Sequence, residues 1–257
     1  MGVEIIDRKH QKTMIESEFF DMNRKGSIMK RPSRAVDCLA NNLKKQSSIL
    51  VPDGLDGWNA LPFAFKGHRV TIFELEDVFV HGGVVISNDI KYHIHGLNKR
   101  IEGYGLKNLV DCFQLNFYEN LPRKTFDLVY ANRTLHRECN SHLTIKEKID
   151  VLKSVVSVGG EIYLQYYLAT YDNDIINFPI NQYPRTGEVI KYFDNEQWEI
   201  LLIKERNKLN TEKPHFGNPF VHYHKVGYIH ARKKNIYEKS KYYKMNYNIC
   251  LGTKLNT

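Results

Sequence analysis

The chain has 257 residues, 42% of them hydrophobic and 26% charged, with a formal net charge of +8. That is the size of one ordinary α/β domain with an extension, and the composition excludes a disordered chain. No apolar run approaches the roughly 18 residues of a membrane span, and the charges from Glu4 onward do not read as a secretory leader. The four cysteines (Cys38, Cys112, Cys139, Cys250) are widely spaced and form no C-x-x-C pair, so they read as reduced thiols in a cytoplasmic setting.

In chain order, residues 1–31 have mixed polarity. Met14, Ile15, Phe19, Phe20 and Met22 are spaced for a short amphipathic helix. Ser33 is a candidate N-cap for a helix whose apolar face carries Val36, Leu39 and Leu43 and which ends near Lys45. Ile49, Leu50 and Val51 form a short apolar strand stopped by Pro52, and the glycine-bearing turn 53–57 follows. Trp58 to Lys66 reads as a helix closed by Gly67, and Arg69 to Phe73 as a second strand ending at Glu74. Strand, glycine turn, helix, strand and acid is the order of a nucleotide-binding βαβ unit. The turn brings backbone N–H groups to a ligand at a helix N-terminus, and the acid accepts from ribose hydroxyls.

This stretch resembles the first motifs of the class I S-adenosylmethionine-dependent methyltransferases, in particular the tellurite-resistance and thiopurine branch of small-molecule enzymes. The residues that carry the resemblance are Val51-Pro52, Gly57-Trp58-Asn59-Ala60, Lys66-Gly67-His68-Arg69-Val70-Thr71 and Glu74. The chain departs from that pattern where the first two glycines fall on Asp53 and Leu55 and the acid near the end of the first strand falls on Val51. The resemblance implies an α/β, Rossmann-like three-layer sandwich with a mostly parallel seven-stranded sheet. Its last two strands, 197–205 and 222–231, would form a C-terminal antiparallel hairpin. It also implies S-adenosyl-L-methionine as cofactor, with Asp53, Gly54, Gly57, Asn59, Glu74, Gln114 and Asn132 as the residues expected to bind it.

Beyond Glu74, residues 79–86 are apolar with two glycines, where the family usually has a helix. Asn88 is placed to cap a helix through Ile90, Ile94, Leu97 and Ile101, ended by Gly103 and Gly105. Residues 109–115 read as the third strand, and Gln114 is either the polar residue near the adenine or an ordinary strand-end amide. Residues 125–131 read as a strand, followed by the loop Asn132-Arg133-Thr134-Leu135-His136. Ligands of open α/β sheets bind beyond the carboxyl ends of the strands. His136 is thus a candidate catalytic residue, with packing under the next helix as the alternative. Thr144-Ile145-Lys146-Glu147 is a capping box. Its helix leads through Gly159-Gly160 into a strand at 161–167.

Residues 171–183 read as a surface loop. Arg185, in the proline-containing loop beyond, is the candidate for holding an anionic substrate, since a guanidinium is a fixed charged fork. A surface salt bridge is its alternative. Residues 214–218 read as a loop and 222–232 alternate as a strand. There His222 and His224 share a face, but no closed ligand set accompanies them, so no metal site is assigned.

From Lys225 onward eight Lys or Arg face one acid, Glu238, so this end holds most of the charge excess. It is either a solvated terminus or a nucleic-acid-binding tail. The expected division is an N-terminal extension or lid (1–31), a methyltransferase-like domain (32–233) and a basic tail (234–257). The expected activity is methyl transfer to a small, soft or anionic nucleophile. The alternatives are a catalytically degenerate binding or scaffold protein, and a nucleic-acid methyltransferase using the tail.

Overall fold

A computed structural model describes residues 33–87, 90–169, 182–206, 208–212 and 222–235. The proposed N-terminal helix, the loop at 171–181, the loop at 214–218 and the tail beyond Asn235 lie outside these residues.

Helix α1 spans Arg34–Asn42, and the Ser33 hydroxyl accepts from the Val36 N–H at 3.3 Å, as an N-cap does. The next elements are β1 (Ser48–Val51), α2 (Leu61–Phe65), β2 (Arg69–Phe73) and α3 (Asp77–His81). Then come β3 (Gly83–Ser87), β4 (Ile90–Ile94), α4 (Leu97–Gly103), β5 (Val110–Phe113) and β6 (Phe126–Asn132). Helix α5 (Ile145–Ser154) opens on the expected capping box. The Glu147 N–H donates to Thr144 Oγ1 at 3.2 Å and the Thr144 N–H to Glu147 Oε2 at 2.8 Å. Strands β7 (Val156–Leu168), β8 (Trp198–Glu205), β9 (Asn210–Glu212) and β10 (His222–Lys233) complete the order.

The main sheet runs β5-β2-β1-β6-β7-β10-β8, with β9 paired to β10. The first five strands are mutually parallel, and β10 runs antiparallel to both β7 and β8. The α/β fold is therefore as expected, with the C-terminal antiparallel pair in place and β9 as an eighth strand. The central strands are apolar on both faces because both are covered. On β1, Ile49 and Val51 pack with α1, α2 and α4, while Leu50 packs on the other face with α5. On β6, Leu128 and Tyr130 divide from Val129 and Ala131 in the same way.

Three local expectations are corrected. No helix runs through Ile90 and Ile94: those residues lie on β4, which pairs antiparallel with β3, and the helix begins at Leu97. The spacing 90, 94, 97, 101 suits a helix, but Ile90, Tyr92 and Ile94 also alternate as a strand does, and strand pairing prevails. Gly82 and Gly96 clasp the base of this hairpin; a Cβ on Gly96 would sit 2.4 Å from the Gly82 nitrogen. Gly159-Gly160 does not precede the strand but lies within β7, which begins at Val156. Cys38 is disulfide-bonded, so the reading of reduced thiols fails there, while Cys112 and Cys139 are free.

Candidate functional site

The parallel strands end at one edge of the sheet, and the turn after β1 is drawn against the end of β2. The Gly54 N–H donates to the Phe73 carbonyl at 3.1 Å. The approach is close enough that a Cβ on Gly54 would lie 2.1 Å from Ile72 Cγ2, so only glycine fits. The next residue, Leu55, takes a left-handed φ of 47°, and its N–H donates to Glu74 Oε2 at 2.6 Å. The other carboxylate oxygen of Glu74 accepts the Glu76 N–H at 3.0 Å. The Glu74 side chain is 0% exposed.

Across this edge lies Arg137, from the loop after β6. Its Nε is 3.2 Å from Asp53 Oδ2 and its Nη2 is 3.7 Å from Glu74 Oε1. One guanidinium thus ties the ends of β1, β2 and β6 together. Burial pushes the Glu74 carboxyl up to about 8, with the neighbouring Asp53 charge adding to the rise. Burial also raises Asp53, against the pull of Arg137, and the Asp53 charge in turn raises Arg137. The cleft these groups border has a volume of about 20 Å³, room for about one water. Its lining includes Asp53, Asn116, Tyr118, Thr134, Arg137 and Cys139.

A second cluster stands at the ends of β6 and β7. His136 is half-buried and packs on the rings of Tyr167 and Tyr183, with centroids 4.8 and 5.9 Å away. Tyr167 stacks on His224 at 3.7 Å, and the Arg133 guanidinium lies 4.9 Å from the Tyr167 centroid. Burial, with Arg133 and Arg137 close by, pushes His136 down to about 3. Among the described residues, the buried His136 Nδ1 and Asn132 Oδ1 find no hydrogen-bond partner. Arg133 holds a left-handed φ of 62°, and its N–H donates to the Gln165 carbonyl at 2.8 Å.

The structure therefore brings together Asp53, Gly54 and Glu74, with Gly57 in the same turn at a φ of 90°. Asn132 and His136 lie on the adjoining loop. Asn59 turns instead to α1, where its Oδ1 accepts the Ser33 N–H at 3.2 Å. Gln114 is exposed; its Oε1 accepts from His81 Nε2 at 3.0 Å and its Nε2 donates to Asp77 Oδ1 at 3.3 Å. Arg185 is exposed on the loop that carries Tyr183 to His136, and its backbone N–H donates to Glu188 Oε2 at 2.7 Å. Sequence reasoning missed Arg137, which stands one residue beyond the loop it singled out. It also missed the buried pair of Arg100 and Asp56, 3.3 Å apart. Neither has a local signal, since the acids lie tens of residues away.

At the opposite edge, where the parallel strands begin, a groove of about 560 Å³ is lined by Lys44, Lys45, Asp127, Gly159, Glu161 and Arg232 among others. Among its polar groups, Asp127 Oδ2 accepts the Ser48 N–H at 2.8 Å, and Arg232 Nη2 donates to Glu161 Oε1 at 2.7 Å. Among the described residues, no three His, Cys, Asp or Glu gather as metal ligands, and no helix is long and apolar enough to cross a membrane.

No family model matches the chain, and no curated protein matches it in sequence. Solved structures do match in fold. TehB from Haemophilus influenzae aligns at a TM-score of 0.57 and 18% identity, over 78% of this chain and 62% of that one. The [4+2]-cyclase SpnF aligns at 0.56 and 13% identity, over 78% and 80%. An rRNA methylase from Streptococcus thermophilus aligns at 0.51 and 15% identity, over 80% and 98%. The chain thus spans less than two thirds of TehB but nearly all of the methylase. At these identities the likeness is one of architecture: the chain has the Rossmann-like fold of the class I methyltransferases.

Proposed function

We propose that this protein transfers a methyl group from S-adenosylmethionine to a small, soft or anionic nucleophile, at the edge where β1, β2, β6 and β7 end. The observation that carries the reading is the glycine turn after β1 folded against a buried acid at the end of β2, on a sheet of this strand order. A soft nucleophile fits the His136 cluster, because an imidazole held near 3 is too weak a base to deprotonate a substrate at neutral pH.

As described, the site does not admit the cofactor. Ligand pockets of this kind occupy roughly 300–1,000 Å³, against a cleft of about 20 Å³. Both oxygens of Glu74 already accept backbone N–H groups, and Arg137 bridges the acids. The alternative reading is a methyltransferase-like domain that binds or scaffolds without transferring. Calorimetric titration with S-adenosylmethionine and S-adenosylhomocysteine separates the two. Binding of either at millimolar concentration or below supports the first. Absence of heat from both, in wild type and in Arg137→Gln alike, leaves the second.

A further inference from the structure

We infer that Arg137 is a latch that holds the ligand cleft shut, and that it yields only to a ligand bringing its own positive charge and hydrogen-bond donors to Asp53 and Glu74. The inference rests on the reading of the cleft as an adenosyl-ligand site.

The geometry sets the terms of opening. Asp53 follows β1, Glu74 follows β2 and Arg137 follows β6, so the guanidinium is the shared link among three strand ends. The Glu74 side chain is fully buried, that of Asp53 is 12% exposed and that of Arg137 is 28% exposed. Arg137 is therefore the member of the three nearest to solvent and the one able to swing out. Withdrawing it without replacement leaves the buried Asp53 carboxylate, beside a Glu74 that keeps its proton at neutral pH, with no cation facing it, which is strongly unfavourable. The backbone N–H groups of Leu55 and Glu76 remain on Glu74 but carry no full charge. A nucleoside phosphate brings further negative charge to this pair and is repelled. S-adenosylmethionine brings a sulfonium, an ammonium and two ribose hydroxyl donors. Burial raises both acids, and Arg137 pulls against the rise at each.

The backbone ties closure of the cleft to the turn itself. Glu74 holds the Leu55 N–H within the turn at 53–57, so a Glu74 no longer fixed by Arg137 leaves that turn freer to open.

The experiment uses the full chain, wild type and Arg137→Gln. Each is titrated calorimetrically with S-adenosylmethionine and with adenosine monophosphate. Hydrogen exchange of the 53–57 amides is followed without ligand. The variant is expected to bind S-adenosylmethionine at least tenfold tighter than wild type, and its turn amides to exchange at least tenfold faster. Adenosine monophosphate is expected to bind both proteins at least tenfold more weakly than S-adenosylmethionine. Equal or weaker S-adenosylmethionine binding by the variant overturns the latch, and equal binding of the two ligands overturns its charge selection. If neither protein binds S-adenosylmethionine, the proposed function fails and exchange alone decides. Faster exchange then keeps the latch, and unchanged exchange removes it. Should Arg137→Gln not fold, Arg137→Lys, which keeps a charge but loses the fork that spans both acids, is judged by the same outcomes at a threefold threshold.

Discussion

The two edges of the sheet differ in a way that size alone would misjudge. The edge where the strands begin has a groove of about 560 Å³, among whose lining residues Asp127 and Arg232 are paired. The edge where they end has a cleft of about 20 Å³, yet it gathers two buried acids, a bridging guanidinium and two left-handed non-glycine residues, Leu55 and Arg133, against one, Gln46, beside the groove. Backbone strain and costly buried charge concentrate where a fold serves a ligand. Volume records only where chains fail to meet. The proposed function uses the edge with the smaller cleft.

Glycine substitution sets the edges furthest apart. Gly54→Ala forces a methyl into Ile72 and is expected to cost about 3 kcal/mol. Gly159→Ala meets nothing within 4 Å and bears only its left-handed φ of 77°, about 1 kcal/mol. Urea unfolding of both variants measures the gap, and equal losses would erase the contrast.

The pH dependence of stability comes next in size. The folded-state value of Glu74, about 8, lies above its ordinary 4.5, so the native state keeps a proton that the unfolded chain releases between them. The stability it contributes is full below 4.5 and is lost as the pH rises towards 8. His136 acts in the opposite sense: held near 3 against an ordinary 6.5, it contributes stability above 6.5 that is lost as the pH falls towards 3. Wild type is therefore expected to lose on the order of 1 kcal/mol as the pH rises from neutral to about 8.5. Glu74→Gln should be flat over that range and weaken on the acid side. A variant that follows the wild-type curve would show that Glu74 is not the group titrating.

Ligand affinity gives an effect of similar size. Glu74→Ala removes the acceptor at the end of β2 and is expected to weaken S-adenosylmethionine binding at least tenfold, about 1.4 kcal/mol. Calorimetry checks this, and unchanged affinity would move the ligand away from this edge. The smallest effect belongs to the open groove. Changing Lys44 and Lys45 together to Ala should alter stability by less than about 0.5 kcal/mol. Salt-dependent RNA binding that weakened in this double variant would give the groove and the basic tail a shared role.

How far the sequence revealed this follows from chain distance. The run from Ile49 to Glu74 was legible because strand, turn, helix and strand are neighbours, each marked by its own residues. The hairpin of β3 and β4 was not, because 90–101 satisfies helix and strand spacing alike and only the contact of Gly82 with Gly96 decides. Of the site, Asp53 and Glu74 were readable from their places after strands. Arg137 was not: its partners lie 84 and 63 residues earlier, and an arginine after a loop carries no mark of the acids it will meet.

The place of β10 has a consequence for how the chain assembles during synthesis. β8 joins the main sheet only through β10, which enters between β7 and β8 after both have been made. Until β10 emerges from the ribosome, β7 and β8 each present an unpaired edge, an aggregation hazard for the nascent chain. β10 is therefore the closing strand, and it must fit at once. At Gly227, which pairs opposite Tyr166, a Cβ would lie 2.2 Å from the Tyr166 ring, so only a bare backbone fits beside that side chain.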